Sequence, residues 1–504
     1  MELLSNLGTG LSVALSFTNL FFLFIGVIVG TVVGVLPGLG PTAGMAMLIP
    51  LTSGLEPVTA IIMLAGIYYG SMYGGSTTAI LINSPGEAAS VITAVDGYQL
   101  AKQGKAGKAL GMAAISSFIA GTVGVVGLML LAPPLSEIAL SFGPPEYFAL
   151  MFLGMTIIMS LSGVSLTKGL MMGAFGMILA MIGLDPITGA SRLTLGTVTL
   201  LNGIDFISVV VGMFAVSEVI SNSERALATV YEKRIGKLLP TIQDWIKCKG
   251  ALARGSLMGF FVGILPGASA AVAAFLAYDT EKKFSKNPEE FGKGALEGVA
   301  AAEGANNSAA SGGMIPLLTL GIPCSPPMAI LLGAFMIHGL RPGPLLFTDN
   351  PDFVWGVIVS MYLGNVALLI LNLPLVRLWV KIAEIPYPIL GPTILLLSFV
   401  GTYSVRNSMF DVWVCLIFGI IGYVLQKMEF PSAPLVLALI LTPMMESAFR
   451  QALAMSRGDY AIFFSRPIAV VLLAVAAISL IYSIYGRINT NSKAAQMIAS
   501  NDNE

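Results

Sequence analysis

Charge is absent from long stretches of this chain. Between Leu3 and Leu55 there is no Asp, Glu, Lys or Arg, and further uncharged runs cover Pro57–Gly86, Ala109–Ser136, Tyr147–Thr167, Gly255–Tyr278, Gly304–Leu340, Phe353–Val376, Ile385–Val405 and Pro467–Gly486. About 20 apolar residues in a helix cross a bilayer core of roughly 30 Å. Several of these runs reach that length, and two have room for a span plus a re-entrant or broken segment. Shorter runs at Gly169–Leu184, Val412–Gln426 and Pro431–Met445 predict tilted or short spans, for roughly ten to twelve crossings. Backbone groups in lipid must be hydrogen-bonded within the segment or within a closed barrel. Barrel strands show apolar/polar alternation over about ten residues, whereas these runs are continuously apolar. The pattern therefore predicts an all-α polytopic membrane protein.

Composition sharpens that picture. Charged residues make up 11% of the chain, against about 25% in ordinary globular proteins. A net charge of −1 excludes a nucleic-acid role driven by overall charge. Met1-Glu2-Leu3 has no basic n-region and the apolar stretch from Phe17 is long, so the first span reads as retained and not as a signal peptide. Cys248, Cys324 and Cys415 lack the paired spacing of a disulfide framework or a metal site. The most polar internal stretch, Ser221–Arg254, carries seven Lys and Arg against three acids, which places it in the cytoplasm by the positive-inside rule. The N-terminal tail has no Lys or Arg, which favours the outer side. The expected division is a membrane repeat at 1–220, a cytoplasmic loop at 221–250, a second membrane repeat at 251–490 and a disordered tail at 491–504.

The two halves share a pattern. Gly30-Thr-Val-Val-Gly34-Val-Leu36-Pro37-Gly38 precedes Gly259-Phe-Phe-Val-Gly263-Ile-Leu265-Pro266-Gly267 by 229 positions, with six of nine residues identical. Further on, Gly74, Gly75 and Pro85 match Gly312, Gly313 and Pro323 at an offset of 238. The nine additional residues fit the polar loop Asp279–Lys293. Duplicated halves with paired broken helices are a common plan of secondary transporters, with the substrate site where the breaks meet. Inverted or parallel orientation depends on the parity of crossings between the copies, which the pattern leaves open.

Proline removes a backbone donor and glycine admits left-handed dihedrals, so helix cannot run smoothly through Pro37-Gly38-Leu39-Gly40-Pro41 or Pro266-Gly267-Ala268-Ser269. A helix restarting there would aim N–H groups and its positive dipole end at a cavity, a natural seat for a carboxylate. The competing reading is a proline kink with a Gly-x-x-x-Gly packing face. Each element is followed by a run of small polar residues: Gly70–Thr78 into Asn83–Gly86, and Glu303–Gly313 into Gly321–Pro327. Their hydroxyls and amides are costly against lipid, so they face other helices or water. They supply donors for an anion without fixed positive charge; close-packed interhelical hydrogen bonding is the alternative. Among ionisable residues near spans (Lys168, Asp185, Asp205, Glu218, Glu297, Glu303, Arg341), most fall at span ends, where interfacial charges are ordinary. Glu303 differs because it abuts Asn306-Asn307-Ser308, and it is the candidate seat of a coupling proton or sodium ion. His338, the sole histidine, reads as structural. There is no G-x-x-x-x-G-K-[ST] loop, H-E-x-x-H or G-x-S-x-G motif and no Cys/His cluster, so ATP hydrolysis by that route, metalloproteolysis and serine hydrolysis lack their residues. No cofactor is indicated.

The run Gly34-Val-Leu-Pro-Gly-Leu-Gly-Pro-Thr42, the stretch Tyr73–Thr78, Asn83-Ser-Pro-Gly-Glu87, Gly263–Ser269, Glu303–Ser308 and Gly321–Cys324 resemble the large membrane subunit of the tripartite tricarboxylate transporters, the TctA family, over roughly Phe17 to Met445. That resemblance implies a bacterial inner-membrane secondary transporter. Its partners would be a small membrane subunit of about four spans and a periplasmic solute-binding protein. Its substrates would be citrate-like tricarboxylates or other organic acids, taken up on a proton or sodium gradient. The expected carboxylate cradle comprises Gly38, Gly40, Thr42, Ser71, Ser76, Thr77, Asn83 and Ser84 from the first half. From the second it takes Gly267, Ser269, Asn306, Asn307, Ser308, Ser311, Pro323 and Ser325, with Glu303 for the coupling ion. The rivals are an ion channel or passive anion pore and, more remotely, a membrane-embedded enzyme.

Overall fold

The computed structural model describes residues 2–36, 38–161, 165–185, 187–224 and 236–481. Pro37 of the first Leu-Pro-Gly element, residues 225–235 of the mid-chain loop and the 491–504 tail lie outside the described residues. The first half runs α1 (Glu2–Ala14), α2 (Phe17–Val35), α3 (Gly40–Leu48), α4 (Pro57–Ile82), α5 (Ser90–Lys102) and α6 (Ala106–Ala139). After α7 (Pro144–Leu161) and α8 (Leu166–Ala180), Gly183–Leu184 (β1) and Ser191–Arg192 (β2) form a short antiparallel ladder. Then α9 (Phe206–Val210) and α10 (Ser217–Ser223) are joined by a π-helical turn. The second half carries α11 (Ile242–Ile264), α12 (Ala270–Phe284), α13 (Leu296–Gly312), α14 (Met314–Leu320), α15 (Pro326–Ile337), α16 (Leu345–Asp349) and α17 (Pro351–Asn372). It ends with α18 (Val376–Ala383), α19 (Tyr387–Arg406), α20 (Met409–Lys427), α21 (Ala433–Met455) and α22 (Ile462–Ser465).

Among the described residues, eight helices are long and apolar enough to cross a membrane, and five more apolar helices are shorter. The chain is an all-α polytopic membrane protein. Local chemistry sets the helix ends. Ser16 caps α2 by accepting the Asn19 N–H, Pro57 opens α4 where no donor is needed, and Thr241 with Asp244 forms a reciprocal capping box on α11. Contact density separates two compact units, Met1–Leu140 with Asp205–Val424, and Ser141–Ile204 with Leu425–Glu504.

In the first unit both Gly-x-x-x-Gly helices cross the polar helix of their own half. A Cβ placed on Gly26, Gly30 or Gly34 of α2 would lie 2.3, 2.4 and 2.2 Å from the carbonyl oxygens of Met63, Ile67 and Ser71 on α4. On α11, Gly255, Gly259 and Gly263 meet the Ala301, Ala305 and Ala309 carbonyls of α13 at 2.5, 2.3 and 2.4 Å in the same sense. The glycines are 229 apart and the carbonyls 238 apart, the two offsets found in the sequence. The helix ends match as well. Asn83 (φ 54°) and Gly321 (φ 70°) are both left-handed caps, and the next residue's N–H returns to Thr78 O or Pro316 O. A stripe of glycines thus lets two backbones touch where any side chain would hold them apart. The polar α4 is almost wholly covered: 94% of its most apolar window is buried, so its hydroxyls face protein and not lipid.

Polar contacts then tie the halves together inside this unit. The Asp96 carboxylate on α5, fully buried, accepts the backbone N–H groups of Gly292, Gly294 and Ala295 at 2.8–2.9 Å and the Tyr278 hydroxyl at 2.7 Å. Tyr73 donates to Asn365 Oδ1 at 2.8 Å, and Arg254 grips Glu281 through two 2.8 Å bonds. In the second unit, α7 and α8 pack on α21, with Phe148, Phe449 and Phe463 in ring contact. Asp185 there accepts the backbone N–H groups of Ile187 and Thr188, and Arg192 and Arg450 join it to Glu446.

Three outcomes follow. Gly259→Ala forces backbones apart and lowers stability by about 1–3 kcal/mol, seen as a fall in the melting temperature of detergent-solubilised protein. Asp96→Ala leaves four donors without an acceptor and costs more than Asp96→Asn, which keeps part of the set; the ordering is checked in the same assay. The Asp185 carboxylate is held below its usual range by the Thr188 N–H first, then by the Ile187 N–H, Arg450 and Arg192. Its folded value is depressed, so its stabilisation is complete above about pH 4, its unfolded value, and fades as pH falls further. The stability gap between the native chain and Asp185→Asn is therefore flat from about pH 5 to 8 and closes in acid.

Candidate functional site

Each Leu-Pro-Gly element ends its helix in an extended residue, Leu36 (φ −80°, ψ 116°) and Leu265 (φ −76°, ψ 124°), followed by a left-handed glycine, Gly38 (φ 85°) and Gly267 (φ 79°). The chain then turns back into helix at Gly40 and at Ala270. These are breaks with a restart, which answers the choice left between broken helix and simple kink. At Gly38 the left-handed φ disfavours a side chain, and a Cβ would also displace the Asn222 amide, 2.5 Å away. Gly267 donates its N–H to Cys324 O at 3.1 Å, tying the second break to the segment that opens α15.

The breaks border one cavity of about 500 Å³ in the first unit. Gly40, Pro41 and Thr42 bring the N-terminus of α3 to it, Ser269, Ala270 and Ala271 that of α12, and Ser325, Pro326 and Pro327 that of α15. Glu87, Ala88 and Ala89 lead from it into α5. Four helix starts from both halves therefore meet at one space. Each points the positive end of a helix dipole at it. At α3 and α12 opening backbone N–H groups also lack an intrahelical acceptor, whereas α15 opens on Pro326 and Pro327, which have no N–H, and at α5 the Ser90 and Val91 N–H groups are bonded to Glu87 O and Ala88 O. Thr42, Ser269 and Ser325 add hydroxyls, and Tyr68 and Met72 of α4 close the wall. None of the described lining residues is Lys, Arg or His. Such a lining can hold an anion through partial charges and hydrogen bonds and offers it no fixed ion pair.

Of the sixteen cradle positions read from the sequence, Gly38, Gly40, Thr42, Ser269 and Ser325 line this cavity. The others take different places. Ser76 and Thr77 border a small void of about 20 Å³ with Tyr73 and Ser117. Ser71 is buried where α4 crosses α2, with its carbonyl against Gly34. Ser311 packs on Gly124 of α6 and Asn307 bonds back to the Glu303 carbonyl. Ser308 is fully buried on the same helix. Asn83 is the exposed cap of α4, with Ser84 beside it, and neither the buried Pro323 nor Gly267 is among the residues that line the cavity. Asn306 faces the first half, donating to Glu87 Oε1 at 2.9 Å.

Glu303 is fully buried one turn before Asn306. Ser76 (2.6 Å) and Ser117 (3.2 Å) donate to its Oε2 and Thr93 (2.5 Å) to its Oε1, so three helices of the first half surround a carboxyl from the second. Glu87 is the residue that sequence reasoning does not single out. It stands immediately after the uncharged run 57–86, and that abrupt end is the signal that marks it. Gly86 lets its segment dock, since a Cβ there would meet Gly34 O at 1.7 Å.

The family model described as the tripartite tricarboxylate transporter TctA family matches residues 20–437. The chain is 47% identical over 476 residues to an uncharacterised 52.8 kDa protein of Agrobacterium vitis named from the 3' region of ttuC' in TAR-I, covering 94% of this chain and 95% of that protein. It is 46% identical over 244 residues to an uncharacterised protein of the same organism from the corresponding TAR-II region, covering 48% of this chain and all of that protein. No solved structure matches. With a family match across both broken-helix elements and the cavity they border, the chain belongs to the tripartite tricarboxylate transporter TctA family, a family of membrane transporter subunits.

Proposed function

We propose that this chain is the large subunit of a secondary active transporter that imports a small organic carboxylate, a tricarboxylate such as citrate or a related organic acid. A periplasmic solute-binding protein delivers the substrate at the outer face, a small membrane subunit of about four spans completes the complex, and a proton or sodium gradient drives uptake across a bacterial inner membrane. The observation that carries this reading is the convergence of four helix N-termini, without a basic side chain, on one cavity shared by both halves. The substrate's carboxylates bind the free N–H groups of α3 and α12 and the hydroxyls of Thr42, Ser269 and Ser325. The remaining cradle residues shape the walls and the route between faces, and Glu303 is the seat of the coupling ion. Partial charges release an anion more readily than a buried arginine would, which suits a site that must empty on the inner side.

Reconstituted complex accumulates labelled citrate only with an imposed ion gradient, and without one it still exchanges labelled for unlabelled citrate. Uptake without a gradient would sink the coupling, and a flux with no exchange would identify a pore. Thr42→Val and Ser269→Ala each remove one hydrogen bond to a charged ligand, about 1.5–3 kcal/mol. Each therefore weakens citrate binding about ten- to a hundredfold by calorimetry.

A further inference from the structure

The coupling site assigned to Glu303 leaves a second buried glutamate without a role. Glu87 lines the cavity and is only 8% exposed. Ser90 Oγ and Asn306 Nδ2 both donate to its Oε1 at 2.9 Å. Gly75 makes the space it occupies, because a Cβ there would lie 2.7 Å from Glu87 Cγ. Asn306 is itself fully buried, and the other atom of the same amide, Oδ1, has no hydrogen-bond partner. A buried acceptor left open beside a carboxyl group is an expensive arrangement unless a hydrogen arrives to fill it.

The surrounding charges do not neutralise this pair of glutamates. Tyr68 of α4 lines the same cavity as Glu87, and Tyr73 of α4 gives its hydroxyl hydrogen to Asn365. Helices α2 and α3 carry no ionisable residue. Of the charged groups on the other packed helices, Asp96 of α5 pairs with Tyr278, Lys102 of α5 lies over the Tyr98 ring, Glu281 of α12 pairs with Arg254, Asp279 of α12 with Lys283, Glu297 of α13 with Lys247, and Lys108 of α6 with Asp244. Two carboxylates in a low-dielectric interior without a countercharge disfavour joint ionisation. The groups around them, four hydroxyls and an amide NH₂, present hydrogens. Asn306 Oδ1 is the open acceptor that a carboxyl O–H can fill and a carboxylate cannot.

We propose that Glu87 and Glu303 hold one proton between them, and that Glu87, to which Asn306 donates, is its cavity-side seat, filled when an anionic carboxylate occupies the cavity. This rests on the reading of the cavity as a carboxylate site. The proton comes from cavity water to a Glu87 carboxylate oxygen, and its O–H donates to Asn306 Oδ1 once the amide turns over. An anion at the helix N-termini repels ionised Glu87. Protonation removes that repulsion, so proton and substrate each strengthen the binding of the other.

Infrared difference spectroscopy of the full-length chain in lipid nanodiscs between about pH 5 and 8, with and without citrate, tests this. The native chain shows the carbonyl stretch of a protonated, buried carboxyl group that titrates in this range and grows when citrate is added. Glu87→Gln abolishes it. Glu303→Gln, which removes the neighbouring negative charge, moves its midpoint to lower pH by about one unit or more. Asn306→Leu shifts its frequency, a readout that survives if Glu87→Gln fails to fold. A band that persists in Glu87→Gln and vanishes only in Glu303→Gln overturns the proposal, as does the absence of any band across the range. If calorimetry shows citrate bound but the band does not respond, the linkage is wrong. If citrate does not bind while the band titrates and responds to the variants as described, the proton seat stands and the carboxylate reading of the cavity is what fails.

Discussion

Backbone-to-backbone contact between two pairs of helices is the constraint on which the rest depends. Where α2 crosses α4 and α11 crosses α13, glycine is present because a carbonyl oxygen of the neighbour occupies the position of a side chain. In lipid no hydrophobic force draws helices together, so close packing and polar contacts must do so. The glycine stripes provide the first and bring the polar faces of α4 and α13 into the interior, where the second become available. The same closeness fixes where each Leu-Pro-Gly break occurs, since it follows directly from the last glycine of its stripe.

Once α4 and α13 are buried, their hydroxyls, amides and carboxyls need partners, and most find them across the two halves. Glu303 is met by Ser76, Thr93 and Ser117, Asn306 by Glu87, Tyr73 by Asn365, and Asp96 by the loop before α13. These bonds hold the first-half and second-half breaks on either side of one cavity. The polar residues thus have two roles that look identical in sequence. Some face the cavity, and others satisfy one another a turn or two behind it.

The cavity's chemistry also comes from the folding geometry. A break with restart exposes unpaired N–H groups, and four helix starts point the positive ends of their dipoles at a space whose described lining holds no basic side chain and one acid, Glu87. Glycine and proline at the breaks are there for the path of the chain.

Much of this was legible in the sequence. Uncharged runs mark membrane helices because charge in lipid is so costly, and the duplicated Gly-x-x-x-Gly-x-Leu-Pro-Gly element marks both the close crossings and the breaks. The two offsets, 229 and 238, already describe which glycine meets which carbonyl in each half. Sequence also placed Glu303 among the small polar residues of α13. It could not separate cavity-facing Thr42, Ser269 and Ser325 from buried Ser71, Ser308 and Ser311, because a hydroxyl that contacts a ligand and one that contacts a neighbouring helix obey the same local rules. Nor could it bring Glu87 beside Asn306, 219 residues away. That pairing exists only because α4 and α13, each locked by its own glycine-bearing partner, share an interior where every polar atom must be answered by another or left open for a ligand.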